Sequence, residues 1–216
     1  MNEDYHMHSI NYSDGMNTID EIVQYAGKIG LKKITITDHS QFMLDGKNFG
    51  TRNRRVHTNR WKNIYNDVEV NFGIEGDLID EEGNCCFDIQ GHTSDFCLLS
   101  CHAEDYQGDL KNITQAYIKA IHKYHDKIKC MGHLCNKKTS KYLDIEAVVE
   151  VLNQYQIPIE INCFYLYIGG TDLEKLDIAL SQIQGGVYIN SDMHVLNDFS
   201  LRQAGFDYLK EKGYIS

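Results

Sequence analysis

Residues 18–39, TIDEIVQYAGKIGLKKITITDH, hold one complete helix–strand unit that ends on a histidine. Thr18-x-x-Glu21 has the capping-box spacing, Ile22, Tyr25, Ala26 and Ile29 fall on one helical face, and Gly30 closes the helix. The run LKKITITD then alternates as a strand does and delivers His39 to its C-terminal end.

The same unit recurs along the chain. Phe42 to Arg60 reads as a long basic loop leading into a helix around Trp61 to Val68. Val70, Phe72 and Ile74 alternate into Glu75, and Leu78, Ile79 and the turn EEGN predict a small hairpin before strand DFCLLSCH. Ile113, Ala116, Tyr117, Ala120 and Tyr124 form a helical stripe before strand IKCMGH, and Ile145, Val148, Val149, Leu152 and Tyr155 form another before IPIEIN. A helix opened by Thr171-x-x-Glu174, carrying Leu173, Leu176, Leu180 and Ile183, precedes GVYINSD, and a last helix runs from about Leu201 to Leu209. Repeated βα units mean an open doubly wound sheet or a closed barrel. A standard eight-unit barrel needs about 250 residues, so 216 residues fit seven units better.

Composition narrows the function. With 31 acids against 21 bases the formal charge is -10, which disfavours nucleic acid and anionic membrane as partners. No uncharged run approaches the roughly 18 apolar residues of a membrane span. The N-terminus lacks the basic and apolar segments of a secretory signal, and seven cysteines with no repeated CxxC spacing read as reduced thiols, so a cytoplasmic location is expected. A single proline excludes a Pro-rich linker, and one domain over 1–216 is the expectation.

Ten histidines carry the chemistry. The strand ends fall at His8, His39, Glu75, His102, His133, Glu160 and Asp192, with gaps of 31, 36, 27, 31, 27 and 32 residues, each near one βα unit. A metal-capable side chain therefore stands at the C-terminal end of nearly every strand, the face on which barrels build active sites. His6-x-His8 and Asp192-x-His194 add pairs at the first and last strands, where side chains two apart share a face about 7 Å apart. Any one histidine alone reads more simply as a core or surface residue, and Asp14 as a turn cap in NYSDG. The joint placement favours a metal centre, and a cation offsets the cost of burying Glu75 and Asp192. His57, His92, His122 and His125 read as ordinary residues, and Cys101 and Cys135 as core thiols.

The motifs DYHMHSINYSDG, ITITDHS, GIEGD and NSDMH, with histidines in LLSCHAEDY and CMGHLCN and the strand IEIN between them, resemble the polymerase and histidinol phosphatase (PHP) superfamily of metal-dependent phosphoesterases over essentially the whole chain. The resemblance implies an α/β fold, a distorted (β/α)7 TIM-like barrel with its metal site at the C-terminal ends of the strands. It implies two or three divalent ions, zinc, manganese or iron. His6, His8 and Asp192 would hold one, Glu75 would bridge it to a second held by His102 and His133, and Asp14, His39 and His194 would hold a third. Catalytic roles fall on Glu75, Asp192 and His194, and Asp38 is expected to orient an imidazole. GHLCN departs from the His-Pro segment of many relatives, and the chain is shorter than typical histidinol phosphatases.

Such a cluster activates a hydroxide against a phosphoester, so the expected activity is hydrolysis of a small-molecule phosphomonoester, histidinol phosphate being the family-level candidate. Arg52, Arg54, Arg55, Arg60 and Lys137, with Lys138 beside it, are candidate phosphate contacts, a solvated basic loop being the plainer reading. The alternative activity is a phosphodiesterase or exonuclease on nucleotides or short single strands, with Phe164, Tyr165 and Tyr167 as stacking platforms. An amidohydrolase is disfavoured by Glu75 in the bridging position, and a non-enzymatic metal-binding domain by the full ligand set. Three divalent ions would bring the formal -10 to about -4 and turn the mouth locally positive.

Overall fold

A computed structural model of the chain describes residues 2–47 and 53–215. Its strands are β1 (Glu3–Asp4), β2 (Lys33–His39), β3 (Glu69–Leu78), β4 (Cys85–Cys86), β5 (Cys97–Ser100), β6 (Ile128–Met131), β7 (Ile159–Asn162) and β8 (Val187–Asn190). Seven of them are parallel, in the order β1-β2-β3-β5-β6-β7-β8, and β4 folds back antiparallel on the end of β3 as the expected hairpin. Beyond β8 the chain returns to the first strand: Met7 bridges Met193 in parallel, and His8 N–H donates to the Met193 carbonyl at 2.8 Å. The result is a nearly closed seven-stranded barrel with helices outside, the expected architecture.

Helices cover the outward strand faces. Ile19–Lys28 starts at Thr18, whose hydroxyl and Glu21 form the reciprocal capping box, and it buries Ile22, Val23 and Ala26 against Ile34 and Ile36 of β2. Ile113–Tyr124, Ile145–Gln154 and Leu173–Gln182 pack over the other strands in a second, larger cluster. The cysteines are free, and Cys101 and Cys135 are buried in that cluster as expected.

Two local expectations fail. No helix covers residues 61–68; the helix lies earlier, Arg54–Arg60, capped by the Asn53 side chain. The Asn63 side chain instead accepts from the backbone N–H of Tyr65 and Asn66 and donates to the Val68 carbonyl, so side-chain turns displace helical bonding there. Asp172, not Thr171, caps Leu173–Gln182, which leaves Leu173 exposed rather than in the stripe. Arg52, a candidate phosphate contact, lies outside the described residues. Among the described residues no helix is long and apolar enough to cross a membrane.

Thr18→Ala removes the side-chain half of the capping box, the hydroxyl that accepts from the Glu21 N–H, and is expected to cost about 1 kcal/mol, read as a lower denaturant midpoint at constant m-value. An unchanged midpoint would mean that the first helix is held by packing alone.

Candidate metal centre

Register places the centre. His39 of β2 pairs with Glu75 of β3, so the two side chains stand side by side on the inner face. Glu75 then meets five imidazoles. Its Oε1 lies 2.9 Å from His133 Nε2, 3.3 Å from His6 Nε2 and 3.7 Å from His102 Nε2. Its Oε2 lies 2.8 Å from His39 Nδ1 and 3.6 Å from His8 Nε2. Asp192 Oδ1 is 3.2 Å from His8 Nε2 and 3.5 Å from His6 Nε2. Asp14 Oδ1, from the first βα loop, is 3.3 Å from His194 Nε2 and 3.4 Å from His39 Nε2.

Ligand-type atoms close enough to share an ion fall into three sets: His6, His8 and Asp192; His39, Glu75 and His102; and His8, Asp14, His39 and His194. These are close to the three expected sub-sites, with three differences, the first being that His8 falls in the set of Asp14, His39 and His194 as well as in that of His6 and Asp192. His39 joins Glu75 as well as Asp14, and His133 meets Glu75 as a hydrogen-bond partner.

The residues behind the imidazoles are where the sequence reading is least complete. Glu160, counted among the metal-capable strand ends, is already engaged: it meets His6 Nδ1 at 3.0 Å and accepts from the His133 N–H at 2.6 Å and from the Asn190 side chain at 2.8 Å. It therefore orients His6 and anchors His133. Asp77, given no role above, meets His102 Nδ1 at 2.6 Å and accepts from the Ser40 hydroxyl at 2.6 Å. Its signal was in GIEGD, two residues past Glu75 on the same strand face. Asp38 does not orient an imidazole, because strand alternation turns it away from His39; it accepts instead from the Ser9 N–H at 2.7 Å and holds the loop after His8. His133 and Asp192 both adopt positive φ, 27° and 55°, without being glycine. Such backbone costs on the order of 1–3 kcal/mol and persists where neighbours over-determine it, here Glu160 on the His133 N–H and Asn162 on the Asp192 carboxylate.

Burial opposes charge at every one of these groups, but the neighbours decide the outcome. Against that penalty, Glu160, Asp192 and Glu75 hold His6 well above the ordinary imidazole range, and Glu75 and Asp14 do the same for His39. Asp14 and Asp192 likewise bring His194 to about 9. His8 goes the other way, to about 3, because burial is reinforced by the rings of His39 and His194 stacked on either side of it. Glu75 and Asp192 stay well below the usual carboxylate range despite burial, held there chiefly by His6.

The donor set fits divalent cations. His6 Nε2, both ring nitrogens of His8 and His39 Nδ1 are buried without a hydrogen-bond partner, His39 Nδ1 lying near Glu75 but off the bonding direction. Each such atom costs about 1–3 kcal/mol when left unsatisfied, and imidazole nitrogen with carboxylate oxygen suits zinc, manganese or iron.

The basic candidates lie elsewhere. Arg54 is buried with its guanidinium on the Gly73 carbonyl at 2.6 Å, and Arg55 lines a cavity at the N-terminal end of the barrel. Arg60 is exposed at a helix end, and Lys137 is bonded to the Gly169 carbonyl at 2.8 Å. The mouth over the imidazoles, about 410 Å³, is instead bordered by Lys47, Lys138, Glu104, Asp105, Phe164 and Tyr165. Lys138 pairs with Glu104, and Tyr165 packs edge-on against His133 at 5.3 Å. Tyr167 is exposed outside the mouth. His122 and His125 hold Tyr155 on the surface, far from ligand duty.

The model of the PHP domain family matches residues 4–164. A "Probable phosphatase" of Caldicellulosiruptor saccharolyticus is 30% identical over 206 residues, covering 90% of this chain and 81% of its own. Another, from Escherichia fergusonii, is 28% identical over 198 residues, covering 88% and 78%. Among solved structures, histidinol phosphate phosphatase of Lactococcus lactis, complexed with Zn, L-histidinol and phosphate, superposes with a TM-score of 0.58 at 15% identity, covering 98% of this chain and 93% of that one. At that identity the likeness speaks for the fold.

Two outcomes follow for metal binding. Glu75→Gln keeps the size of the side chain and removes the shared charge, so the purified variant is expected to carry at least about one ion fewer per chain by elemental analysis, with an unchanged circular dichroism spectrum; wild-type metal content would remove Glu75 from the shared position. Binding must also displace protons from the imidazoles held charged by their carboxylates. Metal affinity, measured by competition with a chelator, should therefore fall as pH drops below neutrality and rise toward pH 9.

Proposed function

The chain belongs to the PHP domain family of phosphate ester hydrolases, and we propose that it is a metal-dependent phosphomonoesterase acting on a small molecule, with histidinol phosphate as the first substrate to try. The convergence of nine imidazole and carboxylate side chains beneath a mouth of small-molecule size supports this reading. Asp192 and His194 lie beyond the matched residues 4–164, so we take the domain to continue through the last strand.

His6, His8, Asp14, His39, Glu75, His102, His133, Asp192 and His194 would hold two or three divalent ions. Bound there, the ions supply positive charge that activates a water and offsets charge on the phosphoryl oxygens. The protein's own contributions are orientation and selection. Glu75, Asp192 and Asp14 balance the imidazole charge, and Glu160 and Asp77 fix His6 and His102 from behind. Lys138 and Lys47 stand at the rim as point charges for a phosphate, each already facing a carboxylate that the phosphate must displace. Glu104, Asp105 and Asp198 make the rim acidic, which favours a substrate with a cationic amine and disfavours an extended polyanion. The Lactococcus lactis complex with L-histidinol and phosphate is in keeping with such a substrate.

Phe164 and Tyr165 at the mouth favour a second reading, stacking of a base in a phosphodiesterase. A panel of histidinol phosphate, glycerol phosphate, a mononucleotide and a dinucleotide separates the two. The metal-loaded protein is expected to hydrolyse monoesters and spare the dinucleotide, to lose activity with a chelator, and in Lys138→Ala to show a KM raised roughly tenfold with kcat little changed. Full metal occupancy without hydrolysis of any phosphoester would sink the proposal.

A further inference from the structure

We propose that the N-terminal end of the barrel, opposite the metal centre, carries a second small-molecule site built for a nucleoside monophosphate. Its origin is a mismatch of strand lengths. β3 spans Glu69–Leu78 but its neighbour β5 begins pairing only at Ile74 with Cys97, so the lower half of β3 lacks a strand on that side. Side chains take the place of the missing strand: the Ser94 hydroxyl bonds the Phe72 carbonyl and Arg54 bonds the Gly73 carbonyl. Between them a cavity of about 880 Å³ opens to solvent, within the range of small-molecule pockets, roughly 300–1,000 Å³.

The charge of this cavity runs against that of the chain, which is -10 overall. Arg54 and Arg55 line it together with Lys33, which is paired to Glu69 at 2.8 Å; Asp95 is the acid among the described lining residues. Arg54 is the decisive group. It is only 6% exposed, its Nε is buried without a hydrogen-bond partner, and among the described residues no carboxylate lies within ion-pair distance of it. Asp38 acts on it from further away. A buried guanidinium with an unused edge is costly unless an anion completes it, and its planar fork suits a phosphate.

The rest of the cavity suits a ribose and a base. Tyr5 stacks on Phe96 with ring centroids 5.4 Å apart and tilts against Tyr188 at 4.8 Å, an aromatic floor of the kind on which bases stack. Thr35, Asn71 and Thr93 supply hydroxyl and amide groups for a sugar. None of these residues belongs to the metal centre: Lys33 and His39 stand six residues apart on β2, a separation of roughly 20 Å along the strand.

The test uses a phosphonate analogue of adenosine monophosphate, which resists hydrolysis, titrated by calorimetry into the metal-loaded protein. Saturable binding is expected. Arg54→Gln, which keeps a donor for Gly73 and removes the charge, should weaken it at least about tenfold. Asn71→Trp, which fills the cavity from the strand side, should abolish it while leaving phosphomonoester hydrolysis unchanged. His8→Ala, altered at the metal centre, should bind the analogue as the wild type does. Absence of saturable binding, binding that survives Asn71→Trp, or binding lost in His8→Ala would overturn the proposal, and the Asn71→Trp arm decides even if Arg54→Gln fails to fold.

Discussion

A carboxylate buried to 1% exposure in the middle of five imidazoles is the constraint on which the rest of this structure turns. Glu75 is too costly to bury alone, and the imidazoles are too close together to be charged without it. His6, His8, His39, His102 and His133 come from four different strands or their ends, so they meet only if the sheet curls until its first and last strands touch. Closure of the barrel and charge balance at its mouth are thus one requirement. The residues behind the centre serve that requirement too, Glu160 by holding His6 and the His133 backbone, Asp77 by holding His102.

Much of this arrangement is written in periodicities. The 3.6-residue stripes and two-residue alternations mark the βα units, and the near-equal spacing of metal-capable residues marks the strand ends. That is enough to reach about seven strands and to bring the imidazoles to one rim, since the βα repeat places equivalent positions there; their division into sub-sites came from the resemblance to the PHP superfamily, because spacing does not carry it. What escaped the sequence depends on side-chain geometry that periodicity does not carry. Asn63 could not be known to fold back on the backbone and break the helix around 61–68. The arginines near residue 54 were candidates because they follow the TDH motif, but the chain between β2 and β3 runs to the far end of the barrel and takes Arg54 and Arg55 with it. The lysines at the rim, Lys47 and Lys138, arrive from two different short helices, Lys47 as the C-cap of Gln41–Gly46 and Lys138 within Lys137–Ser140, and share no motif. Asp38 and Asp77 show the same lesson in opposite directions: each sits within two residues of a strand-end ligand type, and parity alone decides that Asp77 faces an imidazole and Asp38 does not.

Strain follows the same map. The two non-glycine residues of the centre with positive φ, His133 and Asp192, lie where the strands end and the chain must turn sharply while still aiming a side chain inward. Each is pinned by a buried amide or carboxylate, so the local cost is met by hydrogen bonds that also set the aim of the ligand-type atoms.

The seam of the barrel has one more consequence. Met7 and Met193 join strands from opposite ends of the chain, and His6 and His8 flank one side of that seam while Asp192 and His194 flank the other. During synthesis the first histidines leave the ribosome long before their carboxylate partners exist. A nascent chain that ends before residue 192 holds His8 beside an incomplete ring of neighbours, so the centre cannot come together until the end of β8 has been made. Seam and centre therefore stand or fall together: a chain without β8 lacks both the Met7–Met193 bridge and the carboxylate that faces His8 across it.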